Sequence, residues 1–300
     1  MPGFTPADLP DLSGQTVIIT GANSGIGFAA AVPLAAKGAR VVLAVRDQAK
    51  GEEAAAKLPG RAEVRPLDLA SLDSVRAFAA AWQGGIDLLI NNAGVMIPPL
   101  TRTADGFELQ FGTNHLGHFA LTNLLLPQVT GRVVTVSSDA HKSGAIDFDD
   151  LNWERKGYRP WRAYGQSKLA NLLFTSELQR RLTQAGSPVK ATAAHPGYAA
   201  TNLQSHGGNR LVAFAMEKVG NRLIASNAAD GALPTLYAAV ADIPGGSFAG
   251  PGFLGLRGAP KLVERSAAAR DEQVARRLWA VSETLTGVSF PDSQIQGKTI

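Results

Sequence analysis

The chain has 300 residues, of which 45% are hydrophobic and 18% charged, so it has enough apolar material for a sizeable core and does not belong to the disordered class. It contains no cysteine, which excludes disulfides, thiolate metal sites and thiol nucleophiles. Its formal net charge of +4 suits anionic ligands, but Lys and Arg are spread along the chain without a recognition motif, and we do not expect it to bind nucleic acid.

The N-terminal segment carries Asp8 and Asp11 and lacks the succession of basic, apolar and small residues that marks a signal or transit peptide. No apolar run approaches the about 20 residues of a membrane-spanning helix. The lack of cysteine fits a reducing compartment. We therefore expect a cytoplasmic protein with no membrane span.

Two hydrophobic periods alternate through the first half of the chain. Short, β-branched and nearly continuous apolar runs predict strands that are covered on both faces. These runs lie at 15–20, 39–45, 62–67, 86–90 and 131–137. Helix-like segments lie between them at 25–37, 47–57, 71–83 and 101–127. This alternation predicts an α/β fold with a parallel, doubly wound sheet and helices on both faces.

The second half continues the pattern with longer interruptions. A helix over 163–184 is followed by a sixth strand at 187–197, a helix at 227–242 and a weaker seventh strand near 246–250. Residues 257–287 predict a capped helix that ends at Gly287 and buries Trp279. No linker divides the chain, so we predict a single domain over 1–300 with irregular stretches at 139–162 and about 198–226.

A glycine-rich turn, TGANSGIG, occupies residues 20–27 directly after the first predicted strand. Gly21, Gly25 and Gly27 allow a tight turn, close approach of a pyrophosphate and close packing of the next helix. The N-terminal N–H groups of that helix would face the anion. The glycine pattern alone is weak evidence for nucleotide binding. The alternative is a simple turn between a strand and a helix.

Two further motifs follow in order, NNAG at residues 91–94 and Tyr164-x-x-x-Lys168 in the long helix. Four residues apart on a helix, the phenol and the ammonium share one face. The ammonium would lower the pKa of the Tyr164 hydroxyl and bring it toward the range that acid–base catalysis needs. In isolation such a pair is more typical of an exposed helix face than of a catalytic site.

Together these motifs resemble the classical short-chain dehydrogenase/reductase family, over about residues 14–201. Residues 111–127, 132–141 and 164–178 are similar to its retinol dehydrogenase-like subgroup. The resemblance implies a Rossmann-type fold of about seven strands and an oxidoreductase that moves a hydride between a nicotinamide cofactor and a small carbonyl or alcohol substrate. It also implies a substrate lid at about 202–226 and a C-terminal extension at 257–300.

The resemblance assigns the catalytic roles to Asn114, Ser138, Tyr164 and Lys168. Tyr164 would be the general acid and base, tuned by Lys168, and Ser138 would hold the substrate oxygen. The main-chain carbonyl of Asn114 would hold a water that links Lys168 to solvent. Ser138 and Tyr164 are farther apart than is usual in the family, so 139–162 is an insertion, which either borders the substrate or packs on the surface.

The resemblance also implies a set of cofactor-binding residues. They are Gly21, Asn23, Ser24, Gly25, Ile26, Gly27, Asp68, Leu69, Asn91, Ala93, Gly94, Tyr164, Lys168, Pro196, Gly197 and Thr201. The second strand ends at Val45 and Arg46, where NAD-specific enzymes tend to carry a carboxylate. A guanidinium there suits the 2′-phosphate of NADP(H), which we predict as the cofactor. The alternative is a solvated Arg46 paired with Asp47.

Other arrangements of residues favour competing hypotheses. His115 and His118 lie three apart on one helix, but without further ligand motifs we predict no metal. Ser138, Asp139 and His141 are neighbours in sequence, yet no Gly-x-Ser-x-Gly elbow accompanies them, which disfavours a hydrolase. A non-catalytic NADP(H)-sensing protein with the same fold is the alternative function.

The substrate side and the assembly are predicted more coarsely. Within 202–227, Leu211, Phe214, Ala215 and Leu223 make an amphipathic helix, which favours an apolar or amphipathic substrate or else packs on the core. Tyr198 and Met216 are candidate pocket residues. By resemblance, a homo-oligomer would assemble through the helices near 114–127 and 163–184.

Overall fold

Eight strands form one sheet in the computed structural model, which describes residues 3–197, 228–253 and 257–295. The strands are β1 (Thr16–Thr20), β2 (Arg40–Val45), β3 (Ala62–Pro66), β4 (Ile86–Asn91), β5 (Val129–Val136), β6 (Lys190–Ala194), β7 (Phe248–Phe253) and β8 (Arg257–Leu262). Their order is β3-β2-β1-β4-β5-β6-β7-β8. All neighbouring pairs are parallel except β7 and β8, which are antiparallel.

Helices lie between the strands and, at the C-terminal end, after β8. They are α1 (Gly25–Ala36), α2 (Gln48–Ala55), α3 (Leu72–Ala80), α4 (Leu109–Phe111, continued by a π-helical turn over Gly112–Leu116 and by Gly117–Leu125), α5 (Pro160–Gln184), α6 (228–240), α7 (Glu272–Thr286) and α8 (Asp292–Ile295). Among the residues described, no helix is both long and apolar enough to cross a membrane. The helices cover both faces of the sheet, as the sequence predicted.

Alternate side chains of each central strand pack into two different hydrophobic cores, one on each face of the sheet. In β1, Ile18 packs in the core that contains Phe119 and Trp279, whereas Val17 and Ile19 pack with Leu34 on the other face. All are buried. Burial on both faces is the reason that these strands read as continuous apolar runs rather than alternating ones. The confirmed fold is thus a single-domain, Rossmann-type α/β sheet.

The sequence prediction was wrong about residues 257–262. They form β8, an antiparallel edge strand beside β7, and the helix starts only at Glu272. Gly258 and Pro260 disfavour helix formation in this segment. An edge strand, in contrast, tolerates proline. The end of the predicted helix is confirmed, because Gly287 is left-handed at φ 62° and Trp279 is 2% exposed.

The prediction of a helix at 101–108 was also wrong. Thr103 closes a turn with Phe107, and Arg102 pairs with Glu108 as an antiparallel bridge. The helix begins at Leu109 because the Glu108 carboxylate caps the N–H groups that follow it.

Helix α7 packs on α5 within the same chain. The Trp279 ring stacks on Phe174 with ring centres 5.7 Å apart, and the Arg181 guanidinium lies 4.5 Å from the Trp279 ring centre. Part of the α5 surface that the sequence suggested for assembly is therefore covered by the chain's own C-terminal helix.

Candidate active site

The candidate active site lies at the carboxyl ends of β1 and β4, where the order of the strands in the sheet reverses. β1 pairs with β2 on one side and with β4 on the other, so the chain leaves the carboxyl ends of β1 and β4 in opposite directions. In open parallel sheets such a crevice is the usual place for a ligand. All three sequence motifs meet at this edge of the sheet.

The glycine turn has the geometry expected for a phosphate cradle. Gly21 is left-handed, and a Cβ there would lie 3.0 Å from the Cα of Ala93. A Cβ on Gly27 would lie 2.8 Å from the Gly21 carbonyl oxygen, so α1 packs closely on the turn. Gly25, at φ 57°, has open space where a Cβ would be. The open face, beside the free N–H groups of a helix start, fits a pyrophosphate.

Asn23, Ser24 and Ile26 complete this turn. Ser24 precedes the first residue of α1, and its side chain makes no capping bond to the helix. Its hydroxyl is therefore not committed to the helix end. These positions agree with the predicted cofactor loop, whose binding role stays a prediction.

Thr20 joins the glycine turn to the loop after β4, which sequence reasoning missed. Its Oγ1 accepts from the main-chain N–H groups of Asn92 and Ala93, each at 2.9 Å. The Asn92 side-chain amide donates to the Thr20 carbonyl oxygen, also at 2.9 Å. The two loops that frame the crevice are thus bonded to each other directly.

Three of the residues that were predicted to bind the cofactor follow the ends of β2 and β3, namely Arg46, Asp68 and Leu69. Asp68 is half-buried and accepts from the Ala70 N–H at 2.9 Å, while Leu69 is buried. Arg46 is exposed, and in the described part of the chain it makes no ion pair. Asp47 instead pairs with Lys50 at 3.1 Å and caps α2. The structure therefore does not contain the Arg46–Asp47 pair that was the alternative to phosphate binding.

The remaining residues that were predicted to bind the cofactor do not all face the crevice. Asn91 is buried and donates to the Thr122 hydroxyl at 2.9 Å, so its side chain faces α4 rather than the crevice. Ala93 and Gly94 are half-buried at the crevice edge. Pro196 and Gly197 follow β6. Thr201, Tyr198, Met216 and the lid at about 202–226 lie outside the described residues.

Ser138 and Tyr164 are brought together as predicted. The Ser138 side chain lies close enough to the Tyr164 hydroxyl to lower its pKa. The neighbouring Ser137 is buried and donates to the main-chain carbonyl of Lys168 at 2.7 Å, which ties β5 to α5. Ser138, not Ser137, is therefore the serine that reaches the tyrosine.

Lys168 lies one turn beyond Tyr164 and is 4% exposed. Its Nζ lies 5.6 Å from the Tyr164 ring centre and donates to the Val136 carbonyl oxygen at 3.2 Å. The Asn171 side chain donates to the same oxygen at 3.1 Å, a contact that the motif did not reveal. Because Asn171 and Lys168 share the Val136 carbonyl oxygen, the position of the Lys168 ammonium is restricted.

The electrostatics of this pair differ from the sequence prediction. Burial raises the pKa of Tyr164, and the nearby Ser138 side chain only partly opposes it. Burial also lowers the pKa of Lys168 to about 8. The expected lowering of the Tyr164 pKa by Lys168 was therefore wrong for the protein groups alone, because desolvation of the phenol is the larger effect. Tyr164 carries its proton at neutral pH.

Asn114 lies in the π-helical turn of α4 and holds the loop after β4. Its Oδ1 accepts from the Val95 N–H at 2.8 Å, and its amide donates to the Val95 carbonyl at 2.9 Å and to the Ser167 hydroxyl at 3.0 Å. The side chain therefore binds Val95 as a neighbouring strand would. Such π-helical turns often occur at functional sites.

The main-chain carbonyl of Asn114, to which the family resemblance assigned a water, accepts from His118 Nδ1 at 3.0 Å. His118 Nε2 lies 2.9 Å from Thr20 Oγ1. A carbonyl can only accept, so Nδ1 carries the proton and Thr20 donates to Nε2. Burial lowers the pKa of His118 to about 4, which keeps the ring neutral.

The competing hypotheses find no support in the geometry. His115 bonds to Ser282 at 2.8 Å, away from His118, so the two rings do not face a common ion. Nor do the described ranges hold any cluster of three His, Asp or Glu side chains suited to a metal. His141 donates to the Ser138 main-chain carbonyl at 2.7 Å rather than to its hydroxyl, so no Ser-His-Asp triad is formed.

A parallel sheet with a glycine cradle at its switch point and a Ser–Tyr–Lys group beside it defines a nicotinamide-dependent oxidoreductase. The family model for short chain dehydrogenases matches residues 15–210. The chain belongs to the short-chain dehydrogenase/reductase family, whose cofactor is NAD(H) or NADP(H).

Individual relatives match over almost the whole chain. Human retinol dehydrogenase 13 is 46% identical, over 95% of this chain and 88% of that protein. Mouse polyprenol dehydrogenase is 41% identical, over 97% of this chain and 89% of that protein. A crystal structure of an uncharacterised protein from Mycobacterium paratuberculosis superimposes with a TM-score of 0.86 at 56% identity, covering 96% of this chain and 99% of that one. The retinol dehydrogenase-like resemblance is confirmed.

Proposed function

We propose that this protein transfers a hydride between NADP(H) and an apolar or amphipathic carbonyl or alcohol, with Tyr164 as the general acid and base. The observation that carries the proposal is the placement of Ser138 and Tyr164 beside a buried Lys168, whose Nζ lies 5.6 Å from the Tyr164 ring centre, at the crevice that the glycine turn opens. When bound there, the nicotinamide ring supplies or accepts the hydride.

Each protein group has a distinct part in carbonyl reduction. The Ser138 hydroxyl donates to the substrate oxygen and stabilises the negative charge that develops on it. Tyr164, protonated because burial raises its pKa, then donates its proton to that oxygen. The Lys168 ammonium lies near enough to stabilise the resulting phenolate, and Val136 and Asn171 fix its position.

The proton that Tyr164 loses must be replaced from solvent. Lys168, with its pKa lowered to about 8 by burial, can lose and regain a proton near neutral pH. We propose that Lys168 passes this proton to Tyr164. The family resemblance assigns a water of this relay to the Asn114 main-chain carbonyl, which here also accepts from His118 Nδ1.

The choice of NADP(H) over NAD(H) follows from Arg46. Its guanidinium is exposed at the end of β2 with no ion pair in the described part of the chain, and the adjacent carboxylate of Asp47 is already engaged by Lys50. A 2′-phosphate would give Arg46 a charge-assisted partner. Gly25 and Ser24 would hold the pyrophosphate at the start of α1.

An apolar or amphipathic substrate is supported by the relatives that match most of this chain. Two of them are named for retinol and polyprenol, which are long apolar alcohols. We propose a substrate of similar character, with about 14–201 as the cofactor and catalytic core, about 202–226 as the lid and 257–300 as the C-terminal extension. A cytoplasmic location and a homo-oligomer stay predictions.

The test is consumption of NADPH in the presence of aldehydes and ketones of increasing chain length. The wild type and Tyr164→Phe are compared, and NADPH binding is measured separately by fluorescence. Turnover that is lost in Tyr164→Phe with unchanged binding supports the proposal. Tight NADPH binding without turnover of any carbonyl would favour the sensing protein instead.

A further inference from the structure

A buried carboxylate ties the 139–162 segment to the start of α4. Glu108 is 0% exposed and accepts from the N–H groups of Gln110 at 2.9 Å and Phe111 at 2.7 Å. Its third bond comes from the Tyr158 hydroxyl at 2.9 Å. The 139–162 segment therefore supplies a donor to the group that caps α4.

Gln110 extends this contact to the loop after β4. Its side chain is also 0% exposed and donates to the Tyr158 hydroxyl oxygen at 2.9 Å and to the Pro160 carbonyl at 3.0 Å. Its carbonyl oxygen accepts from the Ile97 N–H at 2.9 Å. The carbonyl of Pro160 and the N–H of Ile97 together fix which way the amide points.

Ile97 has an unfavourable backbone conformation for its type. Its φ is +57°, in the left-handed region that β-branched residues rarely adopt. Such a conformation persists where the surroundings enforce it, and it is concentrated at functional sites. The bond from Ile97 to Gln110 is the contact that holds this backbone in place.

The loop that ends at Ile97 begins beside the proposed reaction centre. A Cβ on Gly94 would lie 3.2 Å from Asn114 Oδ1 and 3.5 Å from Lys168 Nζ. Val95 is bonded on both its N–H and its carbonyl by Asn114. The loop over 94–97 therefore has one end at the catalytic lysine and the other end at Gln110.

We propose that Tyr158 is a positioning residue, which acts through Gln110 to hold Ile97 left-handed and so fixes the 94–97 loop beside Asn114 and Lys168 at the proposed reaction centre. This gives the 139–162 segment a role in the reaction rather than on the surface alone. The kinetic consequence rests on the proposed function, whereas the structural coupling does not.

The coupling is tested by hydrogen exchange, without any substrate. Tyr158→Phe removes the hydroxyl from this chain of bonds and keeps the ring. We expect the Ile97 amide to exchange about tenfold faster, as for the loss of roughly one hydrogen bond. The control is Tyr237→Phe, since Tyr237 packs against Phe4 away from the site. Unchanged exchange at Ile97 in Tyr158→Phe would overturn the proposal.

The kinetic arm separates positioning from a general loss of stability. In Tyr158→Phe, KM for the carbonyl substrate should rise about tenfold, while NADPH affinity stays within about twofold of the wild type. A loss of NADPH affinity equal to the rise in KM would point to a global defect and overturn the role in substrate positioning. If the wild type turns over no carbonyl, the exchange result still decides the coupling.

A second variant checks that Tyr158 acts through Gln110. Gln110→Met keeps the length of the side chain and removes its hydrogen bonds. If the two residues form one chain, adding Tyr158→Phe to Gln110→Met should change Ile97 exchange by less than about twofold, because coupled residues are not additive. Fully additive effects would contradict the proposed route.

Discussion

His118 donates from Nδ1 to the main-chain carbonyl of Asn114, 3.0 Å away, and its other ring nitrogen lies 2.9 Å from Thr20 Oγ1. One buried ring therefore connects the proposed catalytic asparagine to the residue that bonds the glycine turn to the loop after β4. The cofactor crevice and the catalytic group are thus coupled through a single neutral histidine.

Replacing His118 should affect both ends of the site. His118→Leu removes both bonds, so we expect NADPH affinity and kcat each to fall about tenfold, as for the loss of one buried hydrogen bond at each end. His118→Asn can retain the donor to Asn114 and should recover most of kcat. Steady-state kinetics and NADPH fluorescence measure the two effects.

His115 offers a matched control on the same helix. It is equally buried, but its bond goes to Ser282 in α7, away from the crevice. His115→Leu should lower the melting temperature and leave kcat nearly unchanged. Equal kinetic losses in the His115 and His118 variants would contradict a specific role for His118.

Protonation of His118 predicts a loss of stability in acid. Burial lowers its pKa from 6.5 to about 4 in the folded protein, so the unfolded chain takes up the proton first as the pH falls. The free energy of unfolding should therefore decrease between about pH 6.5 and about pH 4, and level off below that for this residue. Urea titrations over this range should show a smaller loss for His118→Asn. An identical pH dependence in both proteins would refute the assignment.

Ser138 and Ser137 give a second matched pair. Ser138→Ala removes the proposed donor to the substrate oxygen, so kcat should fall about 100-fold while NADPH binding is kept. Ser137→Ala removes a bond to the Lys168 carbonyl and should cost about 1 kcal/mol of stability with a much smaller change in kcat. If Ser137→Ala lost more activity than Ser138→Ala, the choice of serine would be wrong.

The charge on Lys168 predicts the pH dependence of reduction. Its pKa is lowered to about 8, so the ammonium that stabilises the Tyr164 phenolate is lost as the pH rises through about 8. We expect kcat for carbonyl reduction to fall over that range. Lys168→Arg keeps the charge but cannot give up its proton, so its kcat should be low and should not decline further as the pH rises through about 8. A decline at the same pH in Lys168→Arg would assign the titration to another group.

We expect Arg46 to decide the cofactor preference. Arg46→Glu places a carboxylate against the 2′-phosphate, and NADPH affinity should fall about 100-fold while NADH affinity is spared or improved. Arg276→Glu on α7 is the control for a change of overall charge, since Arg276 is exposed and pairs with Glu272. Equal losses of NADPH and NADH affinity would exclude contact between Arg46 and the 2′-phosphate.

Local pattern was enough to predict most of the sheet, because its strands are buried on both faces and alternate with helices. The family resemblance, rather than local pattern, predicted that Ser138 lies near Tyr164 and Lys168. The edge strand β8 was missed because its Gly258 and Pro260 are atypical of strands, and its pairing with β7 depends on tertiary context.

Contacts between distant residues were beyond the reach of the sequence. Thr20 and His118 are 98 residues apart, and Glu108 and Tyr158 are 50 apart, with no spacing rule that joins them. The Tyr164 pKa was predicted in the wrong direction because the helical spacing shows the charge of Lys168 but not how deeply the phenol is buried. The i,i+4 spacing of Asn114 and His118 was the one available signal for that bond.

The most direct test of the account is transfer of deuterium from NADPH that is deuterated at both C4 positions to an apolar aldehyde, followed by mass spectrometry of the alcohol. We predict one deuterium per product molecule with the wild type and none above background with Tyr164→Phe, although both bind NADPH equally. Deuterated alcohol formed by Tyr164→Phe at the wild-type rate would contradict the central claim.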